Sequence, residues 1–440
     1  MRGNETDDLS ALIRDDRVHR RLYTDPELFE LELDRIFGHA WIYIGHQSQV
    51  KNPGDFYTTR IGRQPVLMVR HDDGEIYVLN NRCAHRGAMI ATAESGNVSE
   101  FRCAYHGWTY GTDGKLSAVP IAQGYPGNLD FNDPGNSLLP VARTDNYRGF
   151  VFANLSSEGP GLREFLGFMT TSFDDMIDRA PGDEIEVAGG VFKHAFDANW
   201  KVYLENLCDG VHPSNVHESS IDAARAQDDD VFSDGAGEIA VRQMRQNGVG
   251  YNFFRDSVGL WTVPNGHSYM GDYHDDEKLV AALDDPSFAD YIDALKADKG
   301  EARAREILSV ARWNTNVWPT VSFMSQFRQL RVVHPVSVNR TEVHTFSFRM
   351  PQAPERLFAD TIRFANVTNG TGSLVLTDDL ETYGRIGEGL QCEGPEWIHM
   401  GRELGIDTAV DNNARETNGT SELHIRNMFD AWMSYMSTGA

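Results

Sequence analysis

The chain has 440 residues, 40% of them hydrophobic, and a formal charge of −25; it can bury one large core or two smaller ones, its length favours two or three units, and the charge argues against nucleic acid or anionic membrane surfaces as partners. No apolar run approaches the roughly 20 residues of a membrane span, and the opening MRGNETDDLS lacks a secretion signal's basic-then-apolar order, so a cytoplasmic protein is expected. The same charge disfavours long-range attraction of an anionic substrate; a substrate carboxylate would need a local arginine to receive it.

In chain order, Asp25-Pro26 is a helix cap followed by proline at the first helical position. Leu28, Leu31, Ile36 and Phe37 continue it as a helical stripe. From Trp41 to about Asn154 the texture is short β runs, with Val66 to Val69 and Ile76 to Leu79 flanking Asp72-Asp73-Gly74 and a second turn at Asp113-Gly114. This predicts a small all-β domain. After a glycine-proline pair, apolar residues from Leu162 to Ile177 recur at helix spacing. Further on come β-type runs at Val317 to Phe323, Leu330 to Val333 and Val343 to Phe348, with polar helical segments over 278 to 309. The class is α+β, divided into a lead-in over 1–40, an all-β domain over 41–155 and a larger domain over 160–440. No internal repeat is read, and the acidic run Asp228 to Asp230 is too short to count as low complexity.

Four cysteines, Cys83, Cys103, Cys208 and Cys392, are too few and scattered for a disulfide framework. Two of them belong to the strongest motif, Cys83-Ala84-His85 and Cys103-Ala104-Tyr105-His106. Each loop offers one thiolate and one imidazole, and the residues between are enough for a hairpin that returns the second loop beside the first. That set suits a [2Fe-2S] cluster with two sulfurs on one iron and two imidazoles on the other. The alternative is a Cys2His2 zinc site, although zinc knuckles place two cysteines close together. Cys208 and Cys392 are expected to be packed free thiols.

A second constellation runs from Asn199 to His217. Trp200, Tyr203, Leu204 and Leu207 have helical spacing, which would put Asp209 and His212 on one face as the segment ends near Pro213, with His217 returning from the next turn. Two histidines and one distant carboxylate make the facial triad of non-haem Fe(II); the plainer alternative is a solvated helix end. Downstream, Thr377-Asp378-Asp379-Leu380-Glu381 follows an apolar run, and such a pair before a helix also serves as a cap. His267 and His274 read as surface or pocket-lining histidines. Arg328, Arg331 and Arg349 lie on predicted strands, where any of them is a candidate to face a pocket.

The text Cys83-Ala84-His85-Arg86-Gly87 and Tyr105-His106-Gly107-Trp108 resembles the Rieske motif of the aromatic ring-hydroxylating oxygenase family, and the order of the three motifs covers Trp41 to about Gln391. The nearest flavour is the benzoate and anthranilate dioxygenase branch, through Pro53-Gly54-Asp55-Phe56-Tyr57-Thr58-Thr59, Ile61-Gly62-Arg63-Gln64-Pro65 and the Asp378-Asp379 segment. Val211 departs from it, standing where the branch tends to have tyrosine. The resemblance implies a Rieske [2Fe-2S] domain with Cys83, His85, Cys103 and His106 as ligands. It also implies a catalytic domain of helix-grip (START-like) type, with an antiparallel sheet and covering helices. There His212, His217 and Asp379 would hold Fe(II), Asp378 would stand behind them or cap a helix, and Asp209 would bridge His212 to His106 of a neighbouring subunit.

The implied reaction is cis-dihydroxylation of a benzoate-like acid or related arene with both atoms of O2. The implied partners are a small β subunit in an α3β3 assembly and an NADH-dependent reductase, with or without a ferredoxin; the chain itself has no Gly-x-Gly-x-x-Gly fingerprint for NADH. A Rieske monooxygenase, hydroxylating or dealkylating, uses the same two metals. A Rieske electron carrier would need neither the second metal site nor a large second domain.

Overall fold

The computed structural model describes residues 9–125, 129–227, 236–272 and 286–437. These divide into two compact units, one of residues 33–165 and one of residues 1–32 with 166–440. His274, Asp228 to Asp230 and the start of the 278 to 309 segment lie outside the described residues.

The smaller unit is all β after its opening helical turns. A four-stranded antiparallel sheet runs in the order Ile76–Asn80, Gln64–Arg70, Asp55–Ile61, Ser95–Asn97, and three-stranded sheets are built from Glu100–Arg102, Thr109–Gly111, Leu116–Ala118 and from Ile42–His46, Arg143–Tyr147, Phe150–Asn154. Phe56, Leu67, Val69 and Leu79 of the first sheet pack against Phe101, Trp108, Tyr110 and Leu116, and both Cys83 and Cys103 belong to this core.

The larger unit is organised on a nine-stranded antiparallel sheet. Its order is Glu186–Phe196, Arg340–Arg349, Gln329–Ser337, Val321–Met324, Arg312–Val317, His267–Asp272, Val258–Val263, Ala414–Asn418, Thr408–Val410. Helices Trp200–Leu207, Glu355–Thr368 and Leu423–Ser437 pack on it. A buried hub ties three distant segments together. Glu32, on the helix Pro26–Arg35 that Asp25 caps through the Glu27 amide, accepts from Lys201 Nζ at 2.5 Å, Trp200 Nε1 at 2.9 Å and Trp432 Nε1 at 2.7 Å. Lys201 is fully buried, so its charge depends chiefly on the Glu32 carboxylate, with Glu205 adding to it.

Several local readings are corrected. The stretch from Leu162 is broken at Gly167, which takes φ +50° between the helices Leu162–Leu166 and Thr170–Asp178. Val317 to Phe323 is a hairpin rather than one strand, because Val317 pairs with Val321 across the turn. The polar helical segments, by contrast, are found as read: Ala289–Lys299 and Glu301–Ser309, separated by Gly300 at φ +81°. His267 is fully buried and accepts the Trp318 amide at 3.0 Å, so it is neither a surface nor a cavity residue. Cys392 is exposed rather than packed, whereas Cys208 is buried and burial pushes its thiol up to about 12. No helix among the described residues is long and apolar enough to cross a membrane.

Candidate metal centres

In the smaller unit the two Cys/His loops have the same backbone. The Cys83 amide donates to the Ala88 carbonyl and the Gly87 amide to the Cys83 carbonyl, and Cys103, Trp108 and Gly107 repeat the pattern one loop on. Gly87 and Gly107 have φ of +73° and +72°, a conformation that glycine adopts without strain. An arginine precedes each cysteine, so Arg82-Cys83-Ala84 and Arg102-Cys103-Ala104 form a short local repeat within a chain that has no long one.

The thiols of Cys83 and Cys103 are buried, while His85 and His106 are half-buried with ring centroids 4.6 Å apart. His85 Nδ1 and His106 Nδ1 are both shielded from solvent and have no hydrogen-bond partner, although each atom is a strong donor or acceptor. A cluster with sulfur ligands inside and imidazole ligands outside gives both nitrogens the partner they lack, so the residues fit a [2Fe-2S] centre. Tyr110 Oη lies 3.2 Å from Cys83 Sγ and accepts the Ala84 amide at 3.1 Å, and the His85 ring stacks on Trp108.

In the larger unit the helix Trp200–Leu207 ends at Leu207, so Asp209 and His212 do not share a helical face as the sequence predicts. They meet through a turn in which Asp209 Oδ1 accepts the Val211 amide at 2.8 Å. Gly210 lies against the Gly419 carbonyl and Phe254, where a side chain would collide. His212 precedes the short helix Pro213–Val216, and His217 follows it. Asp379 enters from the helix Leu376–Gly389.

These elements bring His212, His217 and Asp379 together, with one ligand atom from each lying within 4.8 Å of the others. Asp379 Oδ1 is 3.8 Å from His212 Nε2 and 3.7 Å from His217 Nε2. It is shielded from solvent and accepts no hydrogen bond, so the donor set fits a divalent metal held from one side. Burial raises the Asp379 carboxyl, with the two imidazoles opposing.

Behind each histidine stands a second carboxylate. Asp209 Oδ2 faces His212 Nδ1 at 3.7 Å, longer than a hydrogen bond, and Asp378 Oδ2 faces His217 Nδ1 at 3.3 Å. Burial pushes the Asp209 carboxyl up, but His212 and Arg402 outweigh it and bring it down to about 2. Arg402, whose Nη2 donates to Asp209 Oδ1 at 3.1 Å, lies in no recognisable motif and so is missed by sequence reasoning.

The triad opens on a cavity of about 280 Å³, at the small end of the roughly 300–1,000 Å³ typical of ligand pockets. Phe254, Trp313, Phe327 and Phe364 give it aromatic walls, and Asn206, Tyr203 and Tyr383 line it near the triad. Burial pushes the Tyr203 hydroxyl up to about 12, with Arg331 opposing and Asp379 adding to the rise. Val211 is not among the residues lining the cavity. Of the three strand arginines, Arg331 alone is. Arg328 sits in a turn at φ +52° and donates to Thr361, Leu357 and Gln326, while Arg349 pairs with Glu186 and Glu355.

The chain is similar to known proteins along most of its length. Residues 40–128 match the Rieske [2Fe-2S] domain and residues 182–438 the ring hydroxylating alpha subunit (catalytic domain). The chain is 34% identical to the toluate 1,2-dioxygenase subunit alpha of Pseudomonas putida, over 93% of this chain and 88% of that protein. It is 33% identical to the anthranilate 1,2-dioxygenase large subunit of Acinetobacter baylyi, over 88% and 80%. A crystal structure of naphthalene 1,2-dioxygenase from Rhodococcus sp. bound to indole has the same fold, with a TM-score of 0.79 at 24% identity over 96% of this chain and 95% of that one.

Proposed function

Since this chain belongs to the ring-hydroxylating oxygenase alpha-subunit family, we propose that it adds both atoms of O2 to the ring of a benzoate-like acid as a cis-diol. The observation that carries the reading is the His212–His217–Asp379 constellation at the wall of a small cavity with aromatic sides. Relatives named for toluate, 2-halobenzoate and anthranilate support the acid class. A chain of this family carries a Rieske cluster and a mononuclear iron, which supply stepwise electron delivery and dioxygen activation when bound.

In the proposed division of labour, residues 41–155 hold the cluster through Cys83, His85, Cys103 and His106. Residues 160–440 hold the iron through His212, His217 and Asp379, and residues 1–40 lead in. Held by these three side chains at the cavity wall, the iron would be open to the ring and O2 from the cavity. Asp209 and Asp378 keep the Nδ1 positions of His212 and His217 protonated, so that each Nε2 lone pair points at the metal. Asp209 also couples the metals, accepting from His106 of a neighbouring copy of the chain. The protein works in the cytoplasm with a small β subunit in an α3β3 assembly, and takes NADH electrons from a separate reductase, with or without a ferredoxin.

The test is turnover of benzoate by the reconstituted system under 18O2, with NADH consumption matched to product. A cis-diol holding two labelled atoms from one O2 is expected. A hydroxybenzoate with a single labelled atom would overturn dihydroxylation.

A further inference from the structure

Arg331 is 6% exposed and lies on the strand Gln329–Ser337, on the sheet beneath helix Trp200–Leu207. Strand register sets it in a buried polar row, with Thr345 opposite on one neighbouring strand and Ser322 on the other. Its Nη2 donates to Asn314 Oδ1 at 2.6 Å and to Ser322 Oγ at 3.1 Å. Both are neutral acceptors. Its Nε is shielded from solvent and has no acceptor, and among the described residues no carboxylate lies within ion-pair distance of the guanidinium.

Other buried cations are treated differently. Lys201 has Glu32 at 2.5 Å and Arg179 has Asp175 at 3.0 Å. A buried cation without a counter-charge is costly unless a ligand provides one. Arg331 is also a wall residue of the cavity that holds the His212–His217–Asp379 constellation. A planar guanidinium matches a carboxylate in a two-pronged pairing, and Asn314 and Ser322 hold it in orientation.

We infer that Arg331 is the specificity-determining residue that receives the carboxylate of an aromatic acid in this cavity. The inference rests on the aromatic-acid reading above and adds the residue that selects the acid. In a chain of charge −25 the anion is not drawn in over distance. Selection is therefore short-range, through one desolvated cation whose pairing with the carboxylate fixes which edge of the ring faces the metal triad. Arg331 acts on binding and orientation; it carries no electron and moves no proton.

The test measures binding of benzoate and of its neutral isostere benzamide to the metal-loaded protein by calorimetry, for wild type, Arg331→Met and Arg331→Lys. Wild type is expected to prefer benzoate. Arg331→Met should lose benzoate affinity by about 10- to 100-fold, with benzamide changing less than about threefold on the same scale. Arg331→Lys should fall between, because it keeps charge without the fork. The rise in Tm that benzoate gives wild type should shrink in Arg331→Lys and vanish in Arg331→Met. The Rieske absorption and the Tm without ligand report on folding, and Arg331→Lys carries the test if Arg331→Met does not fold. Benzoate affinity retained in either variant overturns the role of Arg331 and leaves the aromatic-acid reading standing. Wild-type protein that binds benzamide as tightly as benzoate, or binds neither benzoate nor 3-methylbenzoate, overturns the acid reading and the inference with it.

Discussion

Asp378 and Asp379, adjacent in sequence, face opposite nitrogens of His217, with Asp378 Oδ2 3.3 Å from Nδ1 and Asp379 Oδ1 3.7 Å from Nε2. Successive positions on the helix Leu376–Gly389 diverge by about 100°. One carboxylate therefore stands behind the ring while the other joins the metal set.

That geometry predicts unequal effects from the two aspartates. Asp378→Asn should weaken iron binding about 10- to 100-fold, as loss of an outer carboxylate does. Asp379→Ala should leave no iron at the mononuclear site after dialysis while the cluster remains reducible. Iron analysis together with the cluster spectrum reads both. Equal iron retention in the two variants would show that the roles are wrongly divided.

For the smaller unit, Cys83→Ser should abolish the [2Fe-2S] absorption and electron resonance signals while metal still loads at His212, His217 and Asp379. Because the two loops share one hydrogen-bond pattern, Cys103→Ser should do the same. A normal Rieske spectrum in either variant would end the cluster assignment.

Asp209→Asn keeps the shape of the side chain but loses the charge facing His212 and Arg402. With iron supplied in excess both metals should stay bound and the cluster should accept electrons normally, yet product formation should fall by about 10- to 100-fold, consistent with the loss of an outer carboxylate that sets histidine orientation. If coupling crosses between copies, mixed oligomers of Asp209→Asn and His106→Ala chains should recover part of the activity. Wild-type turnover in Asp209→Asn would remove the coupling role.

Stability should depend on the buried hub at Glu32. Glu32→Ala leaves the Lys201 ammonium without its carboxylate in a fully buried site and should cost about 3–5 kcal/mol. Replacing Lys201 by methionine in the same protein should restore much of that loss. Chemical denaturation measures both, and a cost below about 1 kcal/mol would mean the pair is not isolated from water.

Glu205 gives a pH signature. Burial pushes its carboxyl from the ordinary 4.5 up to about 7, with Tyr23 and Lys201 opposing. Its raised folded value means the native state holds the proton more tightly. The stabilisation is complete below pH 4.5 and is lost as pH rises through about 7. Partial exposure of the residue limits the effect to about 1–2 kcal/mol. Glu205→Gln should flatten that part of the stability curve and make the protein more stable than wild type at pH 8; an unchanged slope between pH 5 and 8 would refute it.

By itself the sequence determined what short-range geometry determines. The Cys/His loops are legible because each closes its own hydrogen bonds within six residues, from Cys83 to Ala88 and from Cys103 to Trp108. The cap at Asp25 and the hairpin turn at Asp72-Asp73-Gly74 are local in the same way. His212 and His217 stand out by their spacing around Pro213, but their partners do not. Asp379 arrives from more than 160 residues downstream, and Arg402 reaches Asp209 from a segment without a motif. Only the tertiary structure decided those meetings, because contacts between distant segments leave no periodicity in either one. It also separated three arginines that read alike. The side-chain period of a strand is two, so register sets which face a residue takes; Arg331 keeps that register and reaches the cavity, whereas Arg328 falls in the turn just before the strand and Arg349 ends its strand among acidic partners.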